Sequence, residues 1–78
     1  MVEKTVLLGK ISDVKEFVKT VSEYGCDVDL ISGKYIVDAK SIMGIFSLDL
    51  SKPILMRADC AEGDPLLADI DKFIFTAD

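Results

Sequence analysis

Few residues in this chain have types and spacings that could carry chemistry. Lys40-Ser41-Ile42-Met43-Gly44 places a hydroxyl directly ahead of an apolar run. Ser41 suits a helix N-cap, where its oxygen accepts a hydrogen bond from one of the first unpaired N–H groups. Ile42, Met43, Ile45 and Phe46 are too many apolar residues for one buried stripe of a short helix. Part of that run is therefore expected at the surface, as a contact site. Cys26 and Cys60 are the two thiols, and neither has a Cys or His neighbour at metal-ligand spacing; they read as small core residues rather than ligands. The chain has no histidine at all, which excludes Ser-His and Cys-His dyads. Its glycines are scattered, with no phosphate-cradling loop, and its acids are spread over solvated faces. These features predict a protein without a catalytic centre, a metal or a cofactor.

The elements that must position these groups follow from periodicity. Val2 to Leu8 alternates as a strand, with Val2, Lys4, Val6 and Leu8 on one side and Glu3, Thr5 and Leu7 on the other. Ser12 or Asp13 is expected to cap a helix whose core stripe is Val14, Phe17, Val18 and Val21, with Tyr24 a turn further on. Gly25 is the expected C-terminal stop. Asp27 to Ser32 and Lys34 to Ala39 form a hairpin about Ser32-Gly33. The Ser41 helix follows and closes near Leu48 to Leu50, and Ser51-Lys52-Pro53 turns the chain into a last strand, Ile54 to Cys60. Asp64-Pro65 is a cap followed by proline at the first helical position. Leu66, Leu67, Ile70, Phe73 and Ile74 then read as one amphipathic helix. The order βαββαβα suits an α+β layer fold with helices packed on one face of a sheet.

Composition bounds the rest. Seventy-eight residues make a single domain, 1–78, and 50% hydrophobic residues suffice for a packed core. A net charge of -5 argues against nucleic acid and against an anionic membrane surface. No apolar run approaches the length of a transmembrane helix, and Met1-Val2-Glu3-Lys4 lacks the layout of a signal peptide. A cytoplasmic location is the resulting expectation.

The run Lys40-Ser41-Ile42-Met43-Gly44 followed by Ser47-Leu48 resembles the regulatory-serine segment of HPr, the small phosphocarrier of the bacterial sugar phosphotransferase system. Phe17 to Leu30 is similar to that family's first helix and second strand, and the likeness extends over nearly the whole chain. It implies an open-faced β-sandwich: a four-stranded antiparallel sheet with three helices on one face. It also implies a phosphoryl group carried on a histidine at the start of the first helix. Counting back from Phe17 places Lys10, Ser12 and Asp13 in that region, a degenerate active-site loop with no imidazole.

The substitution matters chemically. A ring nitrogen is both a good nucleophile and a good leaving group, whereas lysine is protonated near neutral pH. A serine ester would be too stable to pass its phosphoryl group on easily. Asp13 could form an acyl phosphate, but capping is the commoner role for an acid there.

The resemblance therefore suggests a regulatory or protein-binding module, with Ser41 as its phosphorylation site and Ile42, Met43 and Phe46 as its partner-binding residues. The alternative is a phosphoryl carrier in sugar uptake with a noncanonical acceptor. Enzyme I, an HPr kinase or a transcriptional regulator are the partners it implies. A second copy is a further candidate. The sheet face away from the helices carries Leu7, Ile31, Ile36 and Leu55 among polar residues, which would suit a homodimer. In this fold the last strand lies antiparallel beside the second, so Cys26 and Cys60 are expected close together as free thiols.

Overall fold

The computed structural model describes residues 1–75. Strands β1 (Val2–Val6), β2 (Val28–Ser32), β3 (Tyr35–Asp38) and β4 (Ile54–Ala58) form one antiparallel sheet in the order β1-β4-β2-β3. Helices α1 (Ile11–Ser22), α2 (Ile42–Phe46) and α3 (Pro65–Asp69) cover one face, and a 3₁₀ turn follows at Asp71–Phe73. This is the four-stranded open-faced sandwich that the periodicity and the resemblance imply. Among the described residues no helix is long and apolar enough to cross a membrane.

The alternating strands supply one side of the core. Val2 and Val6 of β1, Val28 and Leu30 of β2, and Ile54, Met56 and Ala58 of β4 are buried. Their partners are the helical stripes Val14, Phe17 and Val21 of α1, and Leu66, Leu67 and Ile70 of α3 with its following turn. Phe17 meets Phe73 edge to face, with ring centroids 5.7 Å apart and planes at 83°, the geometry the aromatic quadrupole favours.

Several boundaries differ from the sequence expectation. The first helix begins at Ile11, because the Lys10 carbonyl already accepts bonds from the Asp13 and Val14 amides at 3.0 and 3.2 Å. Neither Ser12 nor Asp13 is the cap, and Lys10 offers no side-chain bond to the helix end. At the other end α1 stops at Ser22 with Glu23 as its C-cap, and Gly25 does not enter the left-handed region. Gly33 does, at φ +60°, as the first of the two central residues joining Ser32 to Tyr35. A positive φ at that position alone is the type II′ hairpin arrangement.

The C-terminal helix is also shorter than its apolar spacing suggests. Asp64 caps it as expected, its carboxylate accepting from the Leu66 amide at 3.0 Å, with Pro65 at the first position. The helix ends at Asp69, and Ile74 leaves the helical path to bridge Val6. The Leu7 amide donates to the Phe73 carbonyl and the Phe75 amide to the Thr5 carbonyl, both at 2.8 Å. The outer edge of β1 offers unpaired backbone groups, and pairing them outweighs another helical turn.

Candidate functional site

Ser41 follows the end of β3 and opens α2. Its extended backbone and its Oγ, which accepts from the Gly44 amide at 3.2 Å, make it the N-cap. The hydroxyl is nonetheless at the surface. Lys40, just before it, is fixed at two points. Its amide donates to the Asp38 carboxylate at 2.8 Å, and its ammonium donates to the Tyr24 carbonyl at 3.0 Å. The entry to α2 is thereby tied to the segment just past the end of α1.

Helix α2 is pressed close to the sheet at Gly44. A Cβ there would lie 3.2 Å from Ser41 Oγ and 3.3 Å from Val37 Cβ. Glycine at this position lets the helix sit against β3 while the serine reaches its amide. Ile45 is fully buried, and Ile42 is half-buried and packs against the core. Met43 is 76% exposed and Phe46 38% exposed. Of the three residues expected to meet a partner, Met43 and Phe46 are therefore presented and Ile42 is chiefly structural. The first and last turns of α2 carry no acid or base, so its exposed surface is apolar and uncharged.

Lys10, Ser12 and Asp13 lie at the other end of α1. Only Lys10 precedes the helix; Ser12 and Asp13 are in its first turn, so the expected loop is largely helical. Lys10 and Ser12 are exposed and Asp13 is half-buried. The 12 residues of α1 span about 18 Å between this group and Tyr24, whose carbonyl holds the Lys40 ammonium. Ile11, 65% exposed at the helix start, is an apolar surface residue that the sequence reading passed over. Its place was legible only once the helix start was known. Among the described residues no group of three or more potential metal ligands occurs.

Cys26 and Cys60 are free and half-buried, and both pack against the core. Burial and the Asp64 carboxylate, with a smaller contribution from Cys26, push the Cys60 thiol up. On the opposite sheet face the register aligns Thr5, Leu55, Ile31 and Ile36 as one row across all four strands. The next row is Glu3, Arg57, Asp29 and Asp38, in which Arg57 Nε pairs with the Glu3 carboxylate at 3.2 Å. Ile36 is 64% exposed.

Comparison with known proteins adds to this geometry. A family model described as PTS HPr component phosphorylation site matches residues 13–74. No curated protein matches the chain. Among solved structures, HPr-C-His from Thermoanaerobacter tengcongensis is 24% identical, with a TM-score of 0.76 over 92% of this chain and 89% of that one. The phosphocarrier protein HPr from Bacillus anthracis is 22% identical, with a TM-score of 0.70 over 95% and 96%. Crh, the catabolite repression protein of Bacillus subtilis, is 25% identical, with a TM-score of 0.61 over 94% and 88%; it is described as a swapped-domain dimer.

Proposed function

The chain belongs to the HPr family of the phosphotransferase system, and we propose that it is a member that has lost the phosphohistidine and acts as a cytoplasmic regulatory or protein-binding module rather than as an enzyme. The observation that carries this reading is the pairing of an absence with a retained surface. The chain has no histidine, while the Ser41 hydroxyl stays exposed beside an uncharged helix that presents Met43 and Phe46. The match to the family begins at residue 13, beyond Lys10 and Ser12, which is in keeping with a degenerate start of α1.

Ser41 is the proposed phosphorylation site. A phosphoryl group there adds roughly -1.5 to -2 charges next to an apolar contact surface. Partners that bury Met43 and Phe46 are then disfavoured, and partners with an arginine cluster are favoured. Enzyme I, an HPr kinase or a transcriptional regulator are the candidate partners. Two incubations test the reading. With labelled phosphoenolpyruvate and enzyme I, the protein should take up no acid-labile phosphoryl group. With an HPr kinase and ATP, mass spectrometry should place one phosphate on Ser41. Acid-labile label that passes to a sugar-specific acceptor would instead support the alternative, a carrier with a noncanonical acceptor, and would make Asp13 the first residue to replace.

The row Leu55, Ile31 and Ile36 favours self-association through the open sheet face as an additional property of this protein. Its neighbours Asp29 and Asp38 repel their counterparts in a second copy, so added salt should strengthen the association. Sedimentation at rising concentration and salt should show dimer in the wild type and monomer in Ile36→Lys. A wild type that stays monomeric throughout would remove this property and leave the Ser41 reading untouched.

A further inference from the structure

The two cysteines are brought together by a ladder that runs past the ends of its strands. Val28 faces Ala58, the last pair between β2 and β4. The Asp59 amide donates to the Asp27 carbonyl at 2.8 Å, so Asp27 and Asp59 continue the same register. The Asp59 amide makes the last bond across, and Cys26 and Cys60 are the next residues outward, each at a bend just past the end of its strand. Facing Cα atoms of neighbouring antiparallel strands lie roughly 4.5–5.5 Å apart and a disulfide spans roughly 4.4–6.8 Å, so residues at two adjoining strand ends lie within bridging reach. Both side chains pack against the core and both are partly exposed, so they share a face and a small oxidant can reach them.

We propose that Cys26 and Cys60 are an oxidation site, at which a hydroperoxide converts the pair into a cross-strand disulfide that closes the segment carrying Ser41 into a covalent loop. The thiolate of Cys26 attacks one peroxide oxygen and the O–O bond breaks, giving a sulfenic acid on Cys26 and releasing hydroxide, which takes up the thiol proton as water. The sulfur of Cys60 then attacks the Cys26 sulfur. The S–S bond forms, and the sulfenic oxygen leaves as a second water with the Cys60 proton. Two thiols lose two electrons and two hydrogens, and one hydrogen peroxide becomes two waters. Burial and the Asp64 carboxylate disfavour the Cys60 thiolate, so Cys60 is assigned the second, resolving attack. The loop so closed contains β2, β3, α2 and β4. Its cross-link restricts the unfolded chain without requiring movement of the Ser41 helix.

Reduced full-length protein is treated with hydrogen peroxide and examined by intact mass, non-reducing electrophoresis, peptide mapping and thermal melting. The expected product is a monomer lighter by two hydrogens. Its map contains a single cross-linked peptide pair joining Cys26 to Cys60, and its Tm rises by roughly 10 °C. Dithiothreitol should reverse all of these changes. In Cys60→Ala, dimedone should trap a sulfenic acid on Cys26, whereas Cys26→Ala should label far less. Peptide mapping of the wild type decides the matter even where a variant fails to fold. Thiols that stay alkylatable, a sulfinic acid at either position, or a disulfide linking two chains would overturn the proposal.

Discussion

The hydroxyl of Tyr24 donates a hydrogen bond to the carboxylate of Asp69, joining the segment after α1 to the end of α3. The same segment receives the Lys40 ammonium at the Tyr24 carbonyl, so one residue links the first helix, the last helix and the entry to the Ser41 helix. Nothing local in the sequence couples residues 45 positions apart.

This link should be visible as a pH dependence. The bond to Asp69, followed by burial and the Asp69 charge, pushes the Tyr24 hydroxyl up to about 12. In the unfolded chain it ionises near pH ~10. The unfolded state therefore loses the proton first, and the stabilisation is fully present below about pH 10 and lost as pH rises towards the folded value. Tyr24→Phe should be less stable than wild type at neutral pH. Urea titrations in steps from neutral to strongly alkaline pH should show the gap between the two proteins closing.

Ser41→Ala removes the oxygen that accepts from the Gly44 amide. The expected cost is about 1 kcal/mol, read as a lower urea midpoint with an unchanged slope. Ser41→Asp keeps an acceptor at the cap and should recover most of the loss.

Gly44→Ala would ordinarily stabilise a helix by about 1 kcal/mol. Here the added methyl meets Ser41 Oγ at 3.2 Å and Val37 Cβ at 3.3 Å, and the second neighbour is fixed directly to the backbone of β3. The variant should melt below wild type. Combining it with Val37→Ala, which leaves that Cβ in place, should not restore the loss, whereas Val37→Gly should relieve the contact at the expense of the strand. Melting curves of the three variants check this order.

Phe17→Ala empties a fully buried site and removes the edge-to-face contact with Phe73. A loss of about 3–5 kcal/mol is expected, a large part of the 5–15 kcal/mol roughly typical of a domain. Chemical denaturation should therefore find this variant close to unfolding at 37 °C.

What the sequence made legible was local and periodic. Ile54, Met56 and Ala58 alternate and are buried, and Val14, Phe17 and Val21 share a helical stripe and are buried. The caps Ser41 and Asp64 stand where their side-chain chemistry suggests. What it hid was decided by backbone alone or by distant partners. The start of α1 depends on the Lys10 carbonyl, which any residue could supply. Ile74 continues the spacing of Ile70 and Phe73 but is claimed by the edge of β1. The division of α2 into a buried Ile45, a half-buried Ile42 and an exposed Met43 follows from how Gly44 seats the helix, which no periodicity reveals.

The pairing of β1 with β4 on one side and with residues 73–75 on the other sets an order on assembly. The hairpin of β2 and β3 needs only its own two-residue turn and can close early. Strand β1 is made before the other three strands yet has no partner until segments 50 and 70 residues later are available, because Thr5 pairs with Leu55 and bonds Phe75. Val2, Val6 and Leu8, all buried in the finished domain, therefore lack their native neighbours through most of the domain's synthesis. Contacts of such long sequence separation slow folding, and an unpaired apolar strand is prone to wrong pairings while it waits. Within this domain the strand that is made first is thus the one whose native environment forms last.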